Sequence, residues 1–381
     1  MSDILEAVRN AAPAIEHEAA NCEQAGRLTA PVVDAMRDAG VFRMAWSRAA
    51  GGPELDPLAQ IDVLEALAAA DGSAGWCGMI NSDGGYVGAF LDPTVVAEMY
   101  PSLDLATSVI AAPSGRATAD GDGYRVTGRW GFGSGSTHCA WFFLGCLVFD
   151  GDELRIGPDG IPVTRLLAVP ASEVTILDTW HTTGLNATAS NDITLTNAVV
   201  PETRGFGLFD AAPVDPAPLY RWRWNFFINI SGVPLGVARA ALANAREVAE
   251  TKVSMPAMKH LREEATVQMN FARATALVDS SRAYVHDTVG TAWDAMQRGR
   301  APSPEEWYAV RLATTHAMHS CKEAVNLLYE ALGTTGVYRS SVLDRQYRDI
   351  TTMSQHLVTQ TKTYAAAGRG LLGIDPAAIA F

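Results

Sequence analysis

An α+β fold in three parts, helical, then β, then helical, is what this sequence predicts, and three observations carry that prediction. Apolar residues recur at helical spacing before about residue 102 and again after about residue 216. Between 103 and 215 the period drops to two, with Gly, Pro and Asp-Gly pairs as punctuation. The chain has 381 residues, 48% of them hydrophobic, which is enough for a large core and for three domains at 1–102, 103–215 and 216–381.

In the first part, Ile4, Val8, Ala11, Ala12 and Ile15 follow helical spacing. Thr29 stands where it would cap a second helix, with Pro31 in the first turn and Gly40 as the stop. Asp56 to Ala70, DPLAQIDVLEALAAA, reads as an amphipathic helix. Asp71-Gly72-Ser73 makes a turn and a new cap, and a further helix continues through Trp76. Asp92-Pro93 opens the last helix of this part.

The β part starts with a strand at Ala106 to Ile110. A short segment, Gly115 to Ala119, leads into Asp120-Gly121-Asp122-Gly123, two overlapping Asp-Gly pairs. Either pair can make the hairpin turn. Strands follow at 124–132, 139–149, 164–170 and 173–177, and Asn191 to Val200 is the last. The most informative stretch is Tyr124 to Cys146, YRVTGRWGFGSGSTHCAWFFLGC. Two apolar, aromatic strands flank a Gly/Ser-rich crossing. Its glycines let a large ligand approach the backbone, and Ser134, Ser136, Thr137 and His138 bring hydrogen-bonding groups. Apolar walls with a few polar groups suit a flat heteroaromatic cofactor. An ordinary Gly-rich hairpin would show the same composition.

After Pro218 the helical period returns. Val237 to Lys252 is Ala-rich, Arg262 to about Arg298 is a long helix, and Pro304-Glu305-Glu306 starts another that runs to Leu332. Gly333-Thr334-Thr335-Gly336 breaks it, and a last helix runs from about Leu343 to Gly368. Long helices joined by short turns predict an antiparallel four-helix bundle.

The formal net charge of -13 argues against a nucleic-acid or anionic-membrane partner. The N-terminus MSDILEAVRN lacks a signal-peptide pattern, and the longest apolar run, Cys139 to Phe149, is too short to span a bilayer. Five scattered cysteines, Cys22, Cys77, Cys139, Cys146 and Cys321, read as reduced packing residues of a cytoplasmic protein. His316 and His319 form an HxxH without the Glu of HExxH or a third ligand, so no metal site is expected. No serine sits in a nucleophile elbow.

The order of segments and their motifs resemble the acyl-CoA dehydrogenase fold. The pieces are Ala70-Asp71-Gly72-Ser73-Ala74-Gly75-Trp76, Ala112-Pro113-Ser114-Gly115-Arg116-Ala117, and Gly128-Arg129-Trp130 with Ser134-Gly135 and His138. Asp178-Thr179-Trp180, Gly184-Leu185, Ser190-Asn191-Asp192, Val200-Pro201-Glu202, and Arg345 with Arg348-Asp349 and His356 follow. Within that superfamily the chain resembles the two-component flavin-dependent aromatic hydroxylases. Two departures set it apart from the dehydrogenases. Neither Arg221 to Gly236 nor Asp349 to Gly373 offers the dehydrogenase carboxylate base, and nothing around Met255 to Arg262 matches their Arg-x-x-Phe-Gly segment.

The resemblance implies an N-terminal helical domain, a central β-barrel or sandwich and a C-terminal four-helix bundle. It implies an oxygenase that receives FMNH2 or FADH2 from a separate NAD(P)H-dependent flavin reductase and reacts it with O2. The resulting flavin C4a-hydroperoxide would hydroxylate a small phenolic or aromatic substrate. His356 is then the base for the phenolic proton, and Ser134 its partner at the substrate hydroxyl. Arg345, Asp349, Thr352 and His356 fall at roughly helical spacing, which would put them on one face. Trp130, Phe132, Ser134, Gly135, His138, Ser190 and Gly333 are the expected flavin contacts. Gly333 belongs to the break that reaches a neighbour's flavin in a homotetramer. Ser108, Trp222, Trp224 and Phe227 are the expected substrate contacts, the last three from the aromatic cluster Tyr220 to Phe227. An acyl-CoA dehydrogenase-like FAD oxidoreductase, or an oxygenase acting on nitrogen or sulfur, is the alternative.

Overall fold

The computed structural model describes residues 3–208, 210–255 and 258–374, without the side chains of 223 and 224. Six helices come first: Asp3–Ala25 (α1), Ala30–Asp38 (α2), Pro57–Ala70 (α3), Gly72–Asn81 (α4), Gly84–Gly88 (α5) and Pro93–Met99 (α6). Aspartates start three of them. Asp56, Asp71 and Asp92 accept from Ala59 N at 2.9 Å, Ala74 N at 2.8 Å and Thr94 N at 2.8 Å, which satisfies first-turn amides. Thr29 takes the N-cap position of α2 but does not cap it; its hydroxyl donates to Glu18 at 3.2 Å. That helix starts on the fixed φ of Pro31 and stops at Gly40, where φ is 80°.

The middle of the molecule is one continuous mixed sheet. Its strands are Thr107–Asp120 (β1), Gly123–Gly133 (β2), Trp141–Asp150 (β3), Glu153–Leu154 (β4), Thr164–Pro170 (β5), Thr175–Leu177 (β6), Asn191–Pro201 (β7) and Gly205–Gly207 (β8). Their order is β6-β7-β2-β1-β3-β5-β8, with β4 beside β3. In the β1–β2 hairpin Asp120 pairs with Gly123, so Gly121-Asp122 forms the turn, and Gly121 has a φ of 61°. The strands flanking the Gly/Ser-rich stretch are no hairpin. β1 lies between β2 and β3 and runs parallel to β3. The chain must therefore cross the end of β1 between Gly133 and Trp141, and this crossing carries Ser134 to His138.

The C-terminal helices are Gly232–Thr251 (α7), Ala265–Gln297 (α8), Pro304–Leu332 (α9), Val342–Met353 (α10) and Lys362–Leu371 (α11). The first four pack on one another as a bundle. Ser303 and Glu306 form a capping box at the start of α9. The single helix expected from Leu343 to Gly368 is two, because the chain breaks at 354–361. There Ser354 donates to Thr351 O at 2.7 Å, Thr359 to His356 O at 3.3 Å and Thr363 to Gln360 O at 2.6 Å. Such side-chain bonds compete with the helical ladder. His356 thus leaves the face that it was expected to share with Arg345 and Asp349.

The helix α3 is not amphipathic either. Ile61, Val63, Leu64 and Leu67 are buried, and so are Gln60 and Glu65. It is a strut between α1, α4 and α7. Glu65 is ion-paired with Arg239 of α7 and, at 2.8 Å, with Arg282 of α8, which also reaches Asp62 at 2.5 Å. His286 stands 3.4 Å from Asp62. This trio has the spacing of metal ligands, but two guanidiniums already neutralise its carboxylates. Among the described residues, one helical stretch, Asn225–Thr251, has the length and apolarity of a membrane span. It is 67% buried inside the fold, as a core segment is. All five cysteines are free and buried.

Candidate active site

The crossing between β2 and β3 is stitched to a second loop, Leu185 to Asn191. Gly135 N donates to Thr188 O at 2.7 Å and Ser136 Oγ to Ala189 O at 2.7 Å. Gly135 is required: its φ is 74°, and a Cβ there would lie 2.2 Å from Asn81 Oδ1. Between the loops runs a chain of hydroxyls. Thr188 Oγ1 donates to Leu185 O at 2.8 Å, so it accepts from Ser190 Oγ at 2.7 Å. Ser190 in turn accepts from Ser134 Oγ at 2.8 Å. Trp76 Nε1 donates to Ser134 Oγ at 3.3 Å. The one proton of Ser134 is thereby committed, and its remaining lone pair can only accept. The arrangement suits a ligand that presents an O–H or N–H.

Trp76 connects this serine to His356. Its ring meets the imidazole edge to face at 5.3 Å between centroids. Burial pushes the His356 pKa down to about 4, so the ring is neutral at pH 7. Its Nδ1 has a long 3.5 Å contact from Val358 N. On the other side of Ser134, Asn81 Nδ2 donates to Ser134 O at 3.0 Å and to Thr107 O at 3.3 Å. Asn81 Oδ1 must then accept from His138 Nε2 at 2.9 Å. The other nitrogen of His138, Nδ1, is buried without a partner, and burial lowers this pKa to about 4 as well. One helix, α4, thus organises both catalytic candidates. Trp76 entered the sequence reading only as the end of a motif and Asn81 not at all; neither was expected at the site. The available signal was the Asp71 cap, which fixes where each residue of α4 points.

Phe132 is 76% exposed and holds a φ of 64°, a strained conformation for a bulky residue. Trp180 meets it edge to face at 6.1 Å. The loop of Trp180 is held by Asn191 Oδ1, which accepts from Thr179 N and Trp180 N. An open aromatic surface beside hydrogen-bonding loops fits an isoalloxazine ring. Trp130 does not belong to that surface. It is fully buried, its indole donates to Gly145 O at 2.7 Å, and its ring fills the space left by Gly115 and Gly128. Strand alternation alone would put Trp130 and Phe132 on one face, but the register shift between Trp130 and Gly133 and the positive φ of Phe132 break it, so Trp130 points into the core and Phe132 does not.

A cavity of about 610 Å³, mouth included, opens between α5, the sheet and the segment before α7. Half of its lining residues are aromatic: Tyr86, Phe90, Phe206, Tyr220, Trp222 and Phe226. Of the expected substrate contacts, Trp222 is on the wall. Phe227 packs on Phe226 with the rings tilted by 37° and 4.0 Å between centroids, and Phe226 takes the place at the wall. The Trp224 side chain lies outside the described residues. Ser108 is fully buried and is not part of the wall; its strand neighbour Val109 is. The two-residue period of β1 turns adjacent side chains to opposite faces. Gly333 follows the end of α9 with a φ of 55°, and a Cβ there would meet open space. His316 and His319 take separate partners, Ser320 and Thr359 O.

Comparison with known proteins shows the family. Residues 2–103 match the acyl-CoA dehydrogenase N-terminal domain and 228–361 the acyl-CoA dehydrogenase C-terminal domain. The indole-3-acetate monooxygenase of Pseudomonas putida is 30% identical over 350 residues, 91% of this chain and 87% of that protein. The chain belongs to the flavin-dependent monooxygenases of the acyl-CoA dehydrogenase fold. The enzyme is similar to the oxygenase subunit HsaA of a Mycobacterium tuberculosis flavin-dependent monooxygenase, 26% identical over 389 residues, 98% of this chain and 96% of that one. It also superposes on XiaF from Streptomyces, solved with FADH2 and glycerol, with a TM-score of 0.88 and 25% identity over 98% and 96% of the two chains. The enzyme is therefore an oxidoreductase that works with reduced flavin as an oxygenase component.

Proposed function

We propose that the enzyme hydroxylates a small aromatic substrate, with Ser134 and His356 at the substrate's acidic group. The observation that carries this reading is Trp76, which binds Ser134 through its N–H and His356 through its ring face. Phe132 and Trp180 would hold FMNH2 or FADH2, and the bound flavin supplies, with O2, the oxygen atom that is transferred. The chain's own task is to orient the ring, to accept its proton and to exclude water from the apolar cavity.

With a pKa near 4, His356 cannot simply deprotonate a phenol near 10. The gap of about 6 units corresponds to about 8 kcal/mol. We infer that Ser134 and His356 accept hydrogen bonds from the substrate, and that the proton moves only as oxygen transfer makes the ring acidic. A separate NAD(P)H-dependent reductase would supply the flavin in the cytoplasm, in keeping with five free buried cysteines. A homotetramer would cover the exposed Met255, Met258, Val337 and Tyr338, which follow the ends of α7 and α9 where Lys252 Nζ donates to Leu332 O. The test is rapid mixing of protein and anaerobic reduced flavin with isotope-labelled O2. An absorbance transient before oxidised flavin returns, and a single labelled oxygen in the product, are expected. Direct reoxidation at the rate of free flavin would refute the reading.

A further inference from the structure

The aromatic cavity has one polar side chain that nothing in the fold accounts for. Asp83 lines it and is only 3% exposed. It occupies the N-cap position of α5, yet its side chain caps nothing. Its Oδ1 is buried with no hydrogen-bond partner. The other polar groups on the wall are already committed. Tyr86 Oη donates to Gln60 Oε1 at 3.1 Å, and Tyr220 Oη donates to Ala45 O at 2.7 Å. The remaining wall is apolar, apart from the indole of Trp222, which can only donate.

An unpaired buried carboxyl is expensive, and a fold keeps it where a ligand completes it. We propose that Asp83 determines specificity by accepting a hydrogen bond from a ring N–H of the bound aromatic substrate. The inference rests on the reading that this cavity takes the ring to be oxygenated. Burial alone pushes the Asp83 pKa well above the usual carboxylate range. In either protonation state a carboxyl oxygen can accept from an N–H. A heteroaromatic with its N–H blocked would strand both the acid and the cavity's polarity, the situation in which a missing hydrogen bond is discriminated most strongly.

The experiment is anaerobic titration calorimetry of the whole protein with reduced flavin present, using indole and N-methylindole as probes. Wild type should prefer indole by roughly fivefold to a hundredfold. D83N, which keeps an acceptor oxygen, should keep that preference; D83L should bring the two probes within about twofold. Circular dichroism melts establish that each variant folds, and the wild-type pair needs no variant at all. Equal binding of both probes by wild type, or an undiminished preference in D83L, would overturn the proposal. Because no O2 is present, the outcome is independent of the oxygenation test. A failed absorbance transient removes the oxygenase reading and leaves the binding result standing.

Discussion

At the scale of single residues, the site depends on which protons are already committed. Ser134 gives its proton to Ser190 and takes one from Trp76, so only an accepting lone pair is left. Trp76→Phe keeps the ring against His356 but removes the N–H. It should cost about 1 kcal/mol of stability, the ordinary net value of one such bond. Its clearer effect is expected on coupling: more peroxide and less hydroxylated product per O2 consumed, read in single turnovers. His356→Ala should slow product formation by roughly 10²–10⁴-fold while reduced flavin still reacts with O2. The pH profile adds a second check. His356 has its pKa lowered to about 4, so wild-type hydroxylation should lose nothing to this residue between pH 8 and 5. An inflection near 6.5 that disappears in His356→Ala would contradict the burial.

At the scale of elements, α10 is the clamp that joins all three parts of the chain. Arg348 pairs with Glu23 of α1 at 2.6 Å and donates to Thr183 O at 2.7 Å. Asp349 accepts from Leu185 N at 2.6 Å, which also anchors the loop that ends the hydroxyl chain. Arg345 lies 3.9 Å from the buried Asp71 at the start of α4. Gly184 is needed at this contact, since a Cβ would sit 2.2 Å from Arg348 O. Burial, and then the charge of Asp71, raise the Asp349 pKa to about 7. The folded state therefore holds this proton more tightly than the unfolded one. Its contribution to stability is complete below about pH 4, the unfolded value, and is lost as pH rises through 7. His138 and His356, lowered to about 4, act in the opposite direction: their contribution is complete above about 6.5 and is lost as pH falls through 4. Asp349→Asn isolates the first effect. Its stability relative to wild type, from denaturant melts, should rise between pH 5 and 7 by up to about 1.4 kcal/mol per pH unit. A constant difference across that range would mean that Asp349 is ionised in the native state.

At the scale of the whole molecule, the expected tetramer makes a direct claim about mass and surface. Met255 is 76% exposed, Met258 68%, Val337 59% and Tyr338 66%, too many large apolar groups in two neighbouring segments to be left to water. Light scattering at micromolar concentration should give four chains, and Tyr338→Asp with Val337→Asp should shift the population towards smaller species. A monomeric mass for the wild type would remove the assembly from the proposal, and with it the expected role of Gly333.

Much of the architecture is determined by sequence, because it rests on local physics. Hydrophobic period separates helix from strand, and the Asp56, Asp71, Asp92 and Ser303 caps mark where helices start, since first-turn amides need an acceptor wherever the helix ends up. The Gly/Ser-rich stretch stood out in the sequence as a candidate, but an ordinary hairpin has the same composition, and only the sheet order shows that it crosses the end of β1. What only tertiary structure decides is where a side chain points and what already satisfies it. Trp130 and Phe132 are two positions apart with the same kind of ring; one fills a gap between two glycines, and the other stands open on a strained backbone. His356 follows helical spacing from Asp349, yet Ser354 and Thr359 draw the backbone out of the helix and deliver the imidazole to Trp76. Asp83 has the sequence signature of a helix cap and caps nothing. Its place in an aromatic cavity depends on strands and helices far away in the chain, and no window of neighbouring residues contains that information.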